Sequence, residues 1–103
     1  MITEDFNIIK EIFSIIDDGI VDGYDYFTFE VKVEVGYIET QLTVERNGIA
    51  TTDVKTDINY AVLYALVKRL RESAAQRGEC WASFVISYRI GEQVKTNFKY
   101  SRQ

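Results

Sequence analysis

Two groups of carboxylates are crowded enough to do chemistry. Asp17, Asp18, Asp22 and Asp25 lie in one short stretch around Gly19 and Gly23. Glu30, Glu34, Glu39 and Glu45 follow along the chain, with Tyr37 among them. Three kinds of chemistry use such residues: calcium binding, acid–base catalysis by paired carboxylates, and capture of a cationic partner. Calcium fails on spacing. With Asp18 in the first position of a helix–loop–helix calcium loop, Asp22 is fifth and Gly23 sixth, but Ile20 and Phe29 occupy the third and twelfth, where oxygen ligands are required. A catalytic pair would stand alone, because no nucleophile, neutral-pH base or phosphate loop accompanies it. Histidine, the commonest acid–base group, is absent from the sequence. Two readings stay open for both groups: an ordinary solvated surface, or a face that repels itself until a partner's basic groups cover it.

Charge is distributed unevenly. Residues 1–57 carry thirteen acidic and four basic side chains, a net of −9, and residues 58–103 carry three and eight, a net of +5. A negative first half is ill suited to gripping a phosphate backbone, and no basic–aromatic interleaving points to RNA, so direct nucleic-acid binding is not expected. The lone Cys80 excludes an internal disulfide and a cysteine/histidine metal site. Placed between Glu79 and Trp81 after a helix, it reads as a buried structural thiol, with Trp81 anchoring the junction in the core. No cofactor is implied. Tyr24, Tyr26 and Tyr37 suit either interface anchors or hairpin surface positions.

These residues are positioned by elements that the apolar periodicity reveals. Spacings of three and four at Phe6, Ile9, Phe13 and Ile16 predict a first helix over residues 5–16 with a buried stripe, capped by Thr3 and widened by Ile8, Ile12 and Ile15. Asp17-Asp18-Gly19 should end it, although two acids there oppose the helix dipole. From Tyr26 the period becomes two: Phe27, Phe29, Val31, Val33 and Val35 face the core, and Thr28, Glu30, Lys32 and Glu34 face out. Gly36-Tyr37 suits a type II′ turn that would set Val35 opposite Ile38, Phe29 opposite Val44 and Glu34 opposite Glu39, a like-charge clash on the outer face. Asn47-Gly48 marks a second tight turn into a strand over 49–53. Asp57 is the expected cap of a second helix over 58–77, closed by Gly78, with Leu63, Leu66, Leu70 and Ala74 inward. The last hairpin pairs Ala82, Phe84, Ile86 and Tyr88 with Thr96, Phe98 and Tyr100 across a loop at Gly91-Glu92-Gln93.

The resulting fold class is α+β, in the order α-β-β-β-α-β-β: a three-stranded antiparallel meander plus a C-terminal hairpin, with two helices on one face. With 103 residues and 47% hydrophobic side chains, a single domain over 1–103 is expected. The longest apolar run, residues 61–67, is far short of the ~20 residues a membrane span needs. The start lacks a basic segment leading into a long apolar stretch, so no signal peptide is expected and a reducing cytoplasm fits best.

The second half carries a family resemblance. Leu70-Arg71-Glu72, a helix ending at Gly78, then Trp81, a strand, a glycine turn at Gly91 and Phe98-Lys99-Tyr100 resemble the YezG-like family of bacterial antitoxin and immunity proteins. A first helix followed by Tyr26-Phe27 and a long hairpin fits the same layout. The resemblance implies a small protein made beside a toxic nuclease, often an RNase, and binding it so that the producing cell survives, as immunity proteins of contact-dependent growth inhibition systems do. The partner would be a cognate toxin with a basic nuclease domain, met by Asp17, Asp18, Asp22, Asp25, Glu30, Glu34, Tyr37, Glu39 and Glu45. No membrane partner is expected, and the protein would be a monomer or weak dimer rather than an enzyme. Reversing Glu34 and Glu39 together should then weaken capture. Small acidic chaperones of type III secretion share the element order and provide the alternative, binding an extended effector segment as a dimer. A carboxylate-dependent hydrolase would instead lose turnover when single acids are replaced.

Overall fold

The computed structural model describes residues 3–100. Met1, Ile2 and residues 101–103, part of the expected single domain, lie outside the described residues. The element order matches expectation: α1 (Thr3–Gly19), β1 (Tyr26–Glu34), β2 (Tyr37–Arg46), β3 (Ile49–Thr51), α2 (Tyr60–Gln76), β4 (Trp81–Arg89) and β5 (Lys95–Tyr100). The strands form one antiparallel sheet in the order β3-β2-β1-β4-β5. It is an α+β fold. One cluster joins Phe27, Phe29, Val31, Val44, Phe84 and Ile86 of the sheet to Ile8, Ile12 and Ile16 of α1 and Leu63, Val67 and Leu70 of α2.

α1 is longer than its apolar pattern implied. Thr3 lies inside the helix rather than capping it, and Asp17 and Asp18 form part of its last turn. Five of its residues are isoleucines, whose branched side chains are mediocre helix formers, so burial rather than propensity holds it. The buried stripe is Ile8, Ile9, Ile12 and Ile16, rotated from the expected one, and Phe6 is left 53% exposed. At its C-terminus the chain packs closely: a Cβ on Gly19 would lie 2.6 Å from Ile58 Cγ1, and the Asp57 N–H donates to the Gly19 carbonyl at 2.7 Å. At the other end the buried Asp5 carboxylate accepts from Ser73 Oγ and from Arg77 Nη2, each at 2.6 Å. Arg77 also reaches Glu79 at 3.0 Å. The Asp5 and Glu79 hydrogen bonds hold this guanidinium above its ordinary pKa. This cluster ties the start of α1 to the end of α2.

α2 begins later than expected. Asn59, not Asp57, is its cap, accepting from the Val62 N–H at 3.3 Å. Its end follows the sequence: Gly78 takes a φ of +76°, and the Gly78 and Glu79 N–H groups donate to the Ala75 and Ala74 carbonyls, both at 3.0 Å. That is the paired bonding of a Schellman motif, which needs a left-handed residue after the cap.

The β1–β2 register departs from the expected one by two residues. Glu34 pairs with Tyr37, Val33 with Ile38, Lys32 with Glu39 and Phe27 with Val44. The turn is therefore Val35-Gly36, with the positive φ of +85° at its second position, as a type II turn requires, and not at the first. Val35 is 99% exposed at the tip instead of facing the core. The Glu34–Glu39 clash does not arise. Asn47 and Gly48 both have positive φ, the type I′ geometry expected of that pair. The strand after it is shorter, Ile49–Thr51.

The β4–β5 pairing is likewise offset, with Phe84 opposite Phe98 and Ile86 opposite Thr96. A bulge between Trp81 and Ser83 puts one extra residue in β4. It turns Trp81, rather than Ala82, into the core, where it meets Phe84 edge-on at 5.2 Å. Cys80, just before it, is exposed rather than buried, with Arg71 Nη2 3.7 Å from its sulfur. Its neighbour has taken the inward position.

Candidate functional site

Both helices cover one face of the sheet, so the opposite face is open. Its side chains follow from alternation and register. Across one row stand Arg89, Tyr26, Glu45 and Ala50; across the next, Lys95, Ser87, Thr28 and Thr43; then Asn97, Val85, Glu30 and Gln41; then Lys99, Ser83, Lys32 and Glu39. The β1–β2 half is acidic and the β4–β5 half basic. The sequence's charge asymmetry thus becomes two halves of one surface, because β4 lies beside β1. Arg89, Lys95 and Lys99 were absent from the sequence-derived site. The period of two, which sets Arg89 in β4 and Lys95, Asn97 and Lys99 in β5 opposite the inward residues, is the signal that could have placed them on this face.

The structure does not gather the nine expected site residues into one patch. Glu30 and Glu39 are both neighbours of Lys32, Glu30 two residues before it in β1 with its carboxylate 4.0 Å from the ammonium and Glu39 directly across from it in β2. Glu34 and Tyr37 lie at the hairpin tip, about 26 Å from the other end of β1 at ~3.3 Å per residue. They border a groove of about 640 Å3 that also takes in Tyr64, Lys68 and Arg71 of α2. Asp17, Asp18, Asp22, Asp25 and Glu45 cluster at the far end.

At that far end several acids have internal partners. Glu45 meets Arg89 at 3.7 Å, and the Arg89 guanidinium sits 4.6 Å from the centre of the Tyr26 ring. The Asp25 carboxylate accepts from the Asn47 N–H at 2.7 Å, while Arg46 Nε donates to the Gly23 carbonyl at 2.6 Å. These bonds pin the loop to the β2–β3 turn. Asp17 accepts from the Tyr24 hydroxyl, whose ring packs edge-on against Phe27 at 5.1 Å. Asp18 and Asp22 are exposed, and among the described residues neither they, nor Glu34, nor Glu39 forms an ion pair.

The Tyr24 phenol is pushed well above its ordinary value near 10, first by burial and then by the hydrogen bond to Asp17. A raised folded pKa means the protonated phenol supplies stability that is complete below about pH 10 and is lost as pH rises toward the folded value. Tyr24→Phe should therefore cost about 1 kcal/mol at pH 7. The gap between variant and parent should narrow above pH 10, as read from urea melts across pH 7–11.

Among the described residues no group of three or more histidine, cysteine, aspartate or glutamate side chains is arranged to hold a metal ion, and no helix is long and apolar enough to cross a membrane. The open sheet face carries acidic side chains on its β1–β2 half and basic ones on its β4–β5 half. No protein-family model matches the chain, and a search of curated proteins finds no significant match.

Proposed function

We propose that this chain is an immunity or antitoxin protein that binds and neutralises a cognate bacterial toxin in the cytoplasm, and that the toxin is a basic nuclease domain, an RNase in the first instance. The observation that carries this reading is the uncovered β1–β2 face, where Glu30, Glu34 and Glu39 outnumber Lys32, together with Asp18 and Asp22 at its end. This negative potential survives the internal pairing. A nuclease must present positive charge to a phosphate backbone, so an acidic surface can occupy or flank its cleft. Protection of the producing cell also demands fast capture, which complementary charge favours through the association rate. In this reading Asp17, Asp25 and Glu45 shape the loop, and Asp18, Asp22, Glu30, Glu34, Tyr37 and Glu39 meet the partner. The chain acts by binding and not by turnover, as one subunit per toxin.

Co-expression tests the proposal. The chain should restore growth to cells making a toxic polypeptide encoded beside it, and purified chain should inhibit that polypeptide's RNA cleavage at a one-to-one ratio. Failure to restore growth against every adjacent toxic product would overturn it.

A further inference from the structure

The sheet ends on two edges of different character. β3 is three residues long, which is how native sheets commonly blunt an edge. β5 is six residues long, and its outer side has no strand partner among the described residues. Along such an edge, alternate residues present unpaired N–H and C=O groups, a template for one more strand. Beside the start of β5 runs a groove of about 680 Å3, walled by Phe6, Ile9 and Phe13 of α1 and by Val94 and Thr96. This is the flank of α1 whose aromatic residues the apolar periodicity assigns to the core. No element of the described chain covers it.

Charge selects what could lie there. Lys10 stands at the groove, and Lys95 and Lys99 project from the sheet's open face along β5. A second copy of the chain is a poor occupant. Antiparallel self-pairing centred on Asn97 would set Lys95 opposite the other copy's Lys99, and Lys99 opposite its Lys95, on one face of the ladder. Like charges directly opposed across strands destabilise pairing. An extended segment with acids four residues apart meets both lysines instead, and apolar residues between them fall opposite Thr96 and Phe98, on the groove side.

We propose that β5 is a strand-addition site for an extended segment of a partner protein with the pattern acidic–apolar–polar–apolar–acidic, its backbone pairing with the β5 edge and its apolar side chains entering the groove beside α1. This goes beyond toxin capture and does not depend on the acidic half of the sheet face.

The probe is a labelled nine-residue peptide with the core Glu-Val-Thr-Val-Glu, titrated against the whole chain with anisotropy and backbone amide shifts as readouts. Saturable binding with shifts concentrated in residues 95–100 is expected. A Lys-Val-Thr-Val-Lys peptide should bind at least tenfold more weakly, and K95E/K99E should invert that preference. N-methylation of one alternate set of peptide nitrogens should abolish binding, while methylation of the other set leaves it nearly unchanged, because only one set faces β5. The proposal is overturned by equal loss from both methylated sets, by equal binding of the charge-swapped peptide, by no binding up to about 1 mM, or by a β5-mediated homodimer in sedimentation.

Discussion

Phe27→Ala is expected to lower the unfolding free energy by about 3–5 kcal/mol, the range for truncating a buried aromatic ring. Phe27 is fully buried in the central strand and touches Phe13 of α1 at 5.9 Å, Tyr24 of the acidic loop at 5.1 Å and Tyr88 of β4 at 6.2 Å between ring centres. Removing it opens a cavity where helix, loop and sheet meet, and a domain of this size commonly holds only ~5–15 kcal/mol in total. Phe6→Ala is the control. Apolar periodicity assigns both phenylalanines to the core, Phe6 by the helical spacing of α1 and Phe27 by the alternation of β1, but Phe6 is 53% exposed and should cost under about 1 kcal/mol. Denaturant midpoints for both variants decide the matter. Equal losses would mean that the Phe6 flank is covered in solution, contrary to the open groove beside β5.

Charge reversal on the sheet face should have the largest functional effect. The register makes Glu30 and Glu39, the first beside Lys32 along β1 and the second across from it in β2, the pair to change, in place of Glu34 and Glu39. Glu30→Lys with Glu39→Lys turns an acidic centre into three adjacent cations. Association with the proposed toxin partner should slow by about ten- to a hundredfold at low ionic strength, and the difference should shrink as added salt shortens the screening length below ~5 Å. The Gln/Gln double variant, which removes half as much charge change, should fall between the two on a logarithmic scale. Stopped-flow mixing measures this directly, with Glu11→Lys on the exposed side of α1 as a control that matches the charge change of the Gln/Gln variant. A reversed pair that captured toxin at the parental rate and still protected cells would remove the acidic face from the mechanism.

Taken alone, the sequence determined the element order, the inward and outward sets of β1 and β2 and of β4 beyond its bulge, the Asn47-Gly48 turn and the Gly78 helix stop. Each rests on a local rule: a period of two or 3.6, or a backbone angle that glycine or asparagine adopts readily. Tertiary structure decided the rest. A period-two pattern is unchanged when a strand slides by two residues, so faces were legible where register was not, and the β1–β2 and β4–β5 hairpins came out offset by that amount. The slide moved Val35 to the tip and put Lys32, not Glu34, opposite Glu39. The site followed the same logic. Its carboxylates were visible as a list, but their division between two ends of β1, and their place beside Arg89, Lys95 and Lys99, arise from β4 pairing with β1 across an intervening helix. No local pattern encodes which strands become neighbours; that is chosen by the packing of two helices over one face, where long-range burial outweighs every local preference.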